Sequence, residues 1–300
     1  MHTLIALFFV ATLAAFPGNH PPEVLLEKNQ KILFLGDSIT QNGKYVAYFD
    51  AWLVRRYPER RFTVINAGLS SETTSGLSEE GHANGKFPRP YLHERLGRVL
   101  EKTQPDLIIA CYGMNCGIQK PFDEERFNRF KDGILRLREA AAECGAAIVH
   151  VTPPIFDNHG KPGFDYDMVL AAYANWLVEQ REQGWFVADL HTEMRATIDA
   201  LKAEKPNFTV QRDRVHPNAQ GHWMIARALI RYFGDPDSSE LSGPNKLIEQ
   251  DKLKAIEKRM RAYLRAIHAE TKPLRPNTPM GGTLESAAAT AAALEDSIYD

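Results

Sequence analysis

The residues with the clearest chemical potential are a serine and, far downstream, an aspartate and a histidine three positions apart. The apolar run Ile32-Leu33-Phe34-Leu35 stops abruptly at Gly36-Asp37-Ser38, which leaves a hydroxyl at the tip of what reads as a buried strand. Asp213-Arg214-Val215-His216-Pro217 supplies a carboxylate and an imidazole on one short turn, and Pro217 suits the first position of a following helix. A hydroxyl next to a base that an acid can orient is the raw material of nucleophilic acyl transfer. The competing reading of Gly-Asp-Ser is structural: a strand-ending turn whose Asp or Ser caps the next helix.

Such residues need a scaffold that gathers them. Five short apolar runs (32–35, 62–66, 107–112, 147–152 and 185–189) are separated by amphipathic stretches at 45–57, 91–102, 124–144 and 166–181, and another follows at 218–233. Strands alternating with helices of this length predict a parallel sheet with helices on both faces. The runs are apolar almost throughout, as strands covered on both sides should be. In such sheets ligands bind beyond the carboxyl ends of the strands. Gly36-Asp37-Ser38, Ala67-Gly68 and Gly113-Met114-Asn115 all fall at those ends.

These elements, taken in order, resemble the GDSL-type hydrolases of the SGNH superfamily. The motifs are Gly-Asp-Ser, then Asn-Ala-Gly-Leu-Ser-Ser-Glu-Thr after the second strand, Tyr-Gly-Met-Asn after the third, and Asp-x-x-His before the last helix. The resemblance covers residues 31–233. It implies a flavodoxin-like three-layer α/β/α sandwich with a five-stranded parallel sheet, here followed by a C-terminal helical extension. It also implies Ser38 as nucleophile, His216 as general base and Asp213 as its orienting acid. The oxyanion donors would be the backbone N–H groups of Ser38 and Gly68 and the side-chain amide of Asn115. No metal and no cofactor are implied. One departure stands out: the family's usual aspartate after the block-three asparagine is replaced by Cys116.

The segment 70–92 is long for a connection between strand and helix, and such loops are commonly functional. It carries Glu72, His82, Asn84, Lys86, Phe87, Arg89 and Tyr91, and its wording resembles an exported, planctomycete-like subgroup of GDSL-type proteins. Asp37, Glu72, Arg89 and Met114 are the candidate substrate-binding residues, and Asn158, His159 and Lys161 could also line the cleft. Polar and aromatic groups at the mouth of an esterase suit a sugar-bearing substrate.

Composition narrows the partners. The 300 residues are 44% hydrophobic and 25% charged, with a formal charge of −2. No basic stripe invites nucleic acid, so a small-molecule or oligosaccharide ester is the expected partner; the oligomeric state is open. Residues 4–15 form an apolar run ending in small residues, which predicts an export signal over 1–18, a periplasmic or secreted product, and no stable membrane span once it is removed. The hydrolase domain is expected over 19–235, a helical extension packing on its back over 236–270, and over 271–300 a Pro-rich linker followed by a tail that is disordered or a weak terminal helix. Three cysteines, Cys111, Cys116 and Cys144, cannot build a disulfide framework and are expected as buried, inert thiols.

The leading function is therefore an exported serine esterase that removes small acyl groups, acetyl above all, from carbohydrate. A lipid or longer-chain acyl esterase is the first alternative, and it would need an apolar groove. A glycan-binding module without catalysis is the alternative of another class. A metal-dependent phosphoesterase using Asp37, Asn115, His150 and His216 lacks a paired carboxylate cluster.

Overall fold

The computed structural model describes residues 22–26, 30–159, 162–235 and 243–300. The expected export signal and Lys161 lie outside them. Five parallel strands, β1 (Lys31–Gly36), β2 (Thr63–Asn66), β3 (Leu107–Cys111), β4 (Ala147–Val151) and β5 (Phe186–Ala188), form one sheet in the order β2-β1-β3-β4-β5. Leu33 lies opposite Ile65 on one side and Ile108 on the other, and Ile109 opposite Val149. These side chains are buried, and helices cover the sheet on both faces. This is the three-layer fold with flavodoxin-like strand order that the alternation of elements predicts.

The helices are α1 (Ser38–Asn42), α2 (Lys44–Arg56), α3 (Leu92–Thr103), α4 (Glu124–Glu143), α5 (Asp167–Glu179), α6 (Leu190–Glu204) and α7 (Ala219–Tyr232). Past them come α8 (Gln250–Thr271), α9 (Leu284–Ala292) and α10 (Glu295–Tyr299). The chain leaves β1 for β2 on one side and returns to β3 on the other. The crevice outside that reversal is where open α/β sheets place ligands. Ser38 follows β1 and Asn115 follows β3, so both stand at its rim.

Two segments differ from expectation. Helix α6 escapes the periodicity reading because only Leu190, His191, Met194 and Ile198 are buried, a narrow stripe amid charged positions. Residues 271–300, expected as a linker and a tail either disordered or weakly helical, contain two helices, α9 and α10. Thr283 and Ser286 form a capping box that starts α9 in an alanine-rich stretch. Ala287 and Ile298 are buried, and Arg61 reaches both Glu295 at 2.7 Å and the ring of Tyr299 at 3.8 Å. Ordering a short helix needs such partners, and none of them is visible as local sequence.

Helix α8 lies against β2, α2 and α3. Its apolar face (Leu253, Ile256, Met260, Ile267) is buried, and Arg259 donates to both oxygens of Asp50 on α2 at 2.8 Å. Rather than staying at the back of the domain, its C-terminal end reaches the loop that follows β2, where His268 Nε2 lies 3.0 Å from the Gly68 carbonyl.

Candidate active site

The chain enters the site through Gly36. A Cβ there would sit 2.0 Å from Thr40 Oγ1 and 2.8 Å from the Cys111 carbonyl, so only glycine fits between β1 and α1. Asp37 then caps α1, its Oδ1 accepting the Ile39 N–H at 2.9 Å. The structural alternative for Gly-Asp-Ser thus holds for Asp37, and the cap sets Ser38 as the first residue of the helix.

Ser38 Oγ lies 2.8 Å from His216 Nε2, and His216 Nδ1 lies 2.6 Å from Asp213 Oδ2. With the Nδ1–H donating to the carboxylate, Nε2 is left free to accept from the serine hydroxyl. The second oxygen, Asp213 Oδ1, accepts the backbone N–H groups of Val215 at 3.0 Å and His216 at 2.7 Å. Arg214 between them is left-handed, with φ of 76°, which lets so short a turn fold back on its own carboxylate. Partial burial opposes the charge on Asp213, but the bonds from the His216 ring and from those two N–H groups hold its carboxyl below the ordinary range. The turn is anchored from outside by the Asp157 N–H on the Arg214 carbonyl at 3.0 Å, and His159 Nε2 lies 3.2 Å from the Arg212 carbonyl. Pro217 precedes the helix rather than opening it: Asn218 is the N-cap of α7.

Asn115 is held from both ends of its amide. Arg89 Nη1 donates to Oδ1 at 2.7 Å, while Nδ2 is 3.4 Å from the Glu72 carbonyl and keeps a second hydrogen for another acceptor. Arg89 is fixed in turn by a two-pronged pair with Glu79, at 2.6 and 2.7 Å.

Three of the four candidate substrate-binding residues need correction, and the fourth acts through another. Glu72 is fully buried; its oxygens accept from Arg95 Nε at 2.6 Å, Arg95 Nη2 at 2.8 Å and Tyr112 Oη at 2.6 Å. It braces the loop and has no oxygen left to meet substrate. Met114 is buried in the core, and only its carbonyl is engaged, by Tyr166. Asp37 is buried as the cap of α1, and burial pushes its pKa up to about 6 against the pull of the Ile39 N–H and of His216. Arg89 lies at the site, but its donors are spent on Glu79 and Asn115.

Gly68 is also reassigned. Its N–H donates to Asn66 Oδ1 at 2.9 Å, and a Cβ on it would lie 2.4 Å from the Gln41 nitrogen. It is a glycine because β2 runs hard against α1, and its donor is already used. The N–H groups that follow can be traced in turn: Leu69 to the Gly36 carbonyl at 2.9 Å, Ser70 to Gln41 Oε1 at 2.5 Å, and Glu72 to the Leu69 carbonyl at 3.1 Å. Among the described residues the Ser71 N–H has no acceptor, and Ser71 is held at φ of 66°. A buried or half-buried donor without a partner is uncommon, and a non-glycine residue at such a φ is worth notice. Neither property leaves a mark in the sequence.

The loop between β2 and α3 is pinned at its neck by Thr73 N–H on the Pro90 carbonyl at 3.0 Å and Leu92 N–H on the Thr73 carbonyl at 2.9 Å. Cys116 is buried beneath it, its sulfur within 3.4 Å of the Thr74 N–H, and burial raises its thiol pKa. All three cysteines are free; Cys111 is also buried, whereas Cys144 is exposed, contrary to expectation. His150 is buried against Trp185, ring centroids 5.0 Å apart.

Comparison with known proteins places these features. The GDSL-like lipase/acylhydrolase family matches residues 34–224. An acetylxylan esterase of Geobacillus stearothermophilus is 24% identical over 226 residues, covering 68% of this chain and 94% of the relative. The crystal structure of Axe2, an acetylxylan esterase of that organism, superposes with a TM-score of 0.54 at 23% identity, over 69% of this chain and 95% of its own. A gut microbial diltiazem-metabolizing enzyme gives 0.55 at 18% identity; 70% of this chain is covered, and the chain spans about half (48%) of that protein. At these identities the structural likeness speaks for the fold.

Proposed function

The chain belongs to the GDSL-like lipase/acylhydrolase family and is a carboxylic ester hydrolase; from that premise we propose that it removes acetyl groups from carbohydrate through Ser38, His216 and Asp213. The observation that carries the mechanism is the 2.8 Å contact between Ser38 Oγ and His216 Nε2, backed by the 2.6 Å contact to Asp213. Ser38 Oγ attacks the ester carbonyl as its proton passes to Nε2. Asp213 stabilises the imidazolium and takes no proton itself. Collapse of the tetrahedral species expels the sugar oxygen, which takes the proton from Nε2 and leaves an acetyl-serine. Water repeats the cycle and releases acetate.

The oxyanion of that intermediate needs donors fixed in advance. Asn115 Nδ2 and the backbone N–H of Ser38 serve in this role. The Ser71 N–H takes the part that Gly68 cannot, because the Gly68 donor is satisfied by Asn66. One finding favours a carbohydrate ester: the acetylxylan esterase relative, 24% identical over 226 residues. The apolar run at 4–15 supports export to the periplasm or beyond, and no helix among the described residues is long and apolar enough to cross a membrane.

The test is a panel of acetylated xylan, acetylated xylo-oligosaccharides and an octanoyl ester, with the Ser38→Ala variant beside the native chain. Acetyl-sugar turnover that vanishes in Ser38→Ala is the expected result. Preference for the octanoyl ester would overturn the substrate class, and a native protein that a fluorophosphonate does not label at Ser38 would overturn catalysis altogether.

A further inference from the structure

Residues 250–300 lie beyond the stretch that matches the family, yet they grip the backbone of the site. Three successive alternate carbonyls after β2 are held by side chains: Gly68 lies 3.0 Å from His268 Nε2, Ser70 accepts from Arg275 Nε at 2.8 Å, and Glu72 lies 3.4 Å from Asn115 Nδ2. The middle one is the consequential contact. The Ser70 carbonyl and the Ser71 N–H belong to a single peptide unit, which is planar, trans and points the two groups in opposite directions. Whatever fixes the carbonyl also aims the N–H.

We propose that Arg275 is a positioning residue for ester hydrolysis: by holding the Ser70 carbonyl it keeps the Ser71 N–H turned toward the oxyanion. The inference rests on the reading of Ser38, Ser71 and Asn115 given above. The Glu72 N–H on the Leu69 carbonyl at 3.1 Å closes a turn around this peptide, but such a turn bond is compatible with either orientation of its central peptide. The orientation seen puts Ser71 at φ of 66°, where a residue with a side chain is disfavoured, so the Arg275 bond is what favours it. Arg275 is itself well seated. Its Nη1 donates to the Pro276 carbonyl at 3.0 Å, Thr278 Oγ1 donates to its own carbonyl at 2.7 Å, and its guanidinium lies 5.5 Å from the centre of the Phe87 ring. Phe87 belongs to the same loop as Arg89, so one guanidinium touches that loop at two places. Among the described residues no carboxylate pairs with Arg275, so its positive charge stands beside the oxyanion loop without a counter-charge. That favours negative charge developing at the site.

The experiment compares the native full chain with Arg275→Ala and Arg275→Lys on an acetyl ester. It measures kcat and KM separately, the rate of Ser38 labelling by a fluorophosphonate, and thermal unfolding. Arg275→Ala is expected to lower kcat and the labelling rate by about tenfold or more with KM within about threefold, and methylguanidinium added to the buffer restores part of kcat. Arg275→Lys keeps the charge without the planar fork and falls between the two. It carries the same comparison if Arg275→Ala does not fold. Native-like kcat in a folded variant, or a loss confined to KM, overturns the proposal while leaving the esterase reading intact. Absence of Ser38 labelling in the native chain would overturn the esterase reading instead.

Discussion

Arg89 Nη1 donates to Asn115 Oδ1 at 2.7 Å, and that bond fixes which end of the Asn115 amide is left for another partner. With Oδ1 tied to a cation, Nδ2 must point the other way, as the proposed role of oxyanion donor requires. An unrestrained amide would spend part of its time reversed, presenting an oxygen to a developing negative charge.

Replacing Asn115 with Ala is therefore expected to lower kcat by roughly 10²–10³-fold, the cost of removing one oxyanion donor. Arg89→Met, which leaves Asn115 present but unaimed, should lose a large part of the same factor with a smaller change in KM. Because the two residues act as one unit, the double variant should be little worse than Asn115→Ala. Independent, multiplying losses in steady-state kinetics would mean that Arg89 contacts substrate in its own right.

Glu72 makes a different prediction. It is fully buried and paired with Arg95 and Tyr112, so Glu72→Gln leaves a buried guanidinium without its counter-charge. Breaking a buried pair by removing one partner costs about 3–5 kcal/mol, readable as a fall in the urea midpoint. A variant with native stability and a raised KM would restore Glu72 to the substrate.

Asp37 ties stability to pH. Burial raises its pKa to about 6 from an ordinary 3.8, so the fold favours the neutral acid. That stabilisation is complete below the unfolded-state value and is lost as pH rises through about 6. Asp37→Asn is neutral at every pH and keeps an oxygen to cap Ile39. It should be the more stable protein at pH 8, by up to about 3 kcal/mol at ~1.4 kcal/mol per pKa unit, with the gap closing toward pH 4. Denaturant titrations at both pH values check this, and a gap that widened on acidification would refute it.

The thiols separate by exposure. Cys111 and Cys116 are buried, with thiolate formation disfavoured by burial, and Cys144 is exposed. Iodoacetamide on the native protein should alkylate Cys144 alone, as mass spectrometry would show, and leave ester hydrolysis unchanged. Rapid modification of Cys116 with loss of activity would reveal a reactive thiol behind Asn115 after all.

Much of the site was legible before any coordinates. Ser38, Asp213, His216 and Asn115 are each announced by a strand end or a helix entry, and the geometry brings His216 within hydrogen-bonding distance of Ser38 on one side and Asp213 on the other. Asp37, Glu72 and Met114 were misjudged for a shared reason: position near a strand end says where a residue is and nothing about whether it points inward. Gly68 was misjudged because a glycine before a loop can serve a donor or a packing contact, and only the Asn66 bond and the crowding by α1 distinguish them. Helix α6 was missed, and order in the terminal helices could not be told from disorder, because their stability comes from partners distant in sequence.

Sequence by itself determined what is local: alternating strands and helices, the breaks where reactive side chains emerge, and the Asp-x-x-His turn, since periodicity, turn chemistry and short spacing are properties of neighbouring residues. Tertiary structure alone decided which donors are free and which are spent, and that a guanidinium at position 275 takes hold of a carbonyl at position 70. Those outcomes depend on hydrogen bonds between segments up to some 200 residues apart, and a bond of that kind exists only once the chain has folded around it.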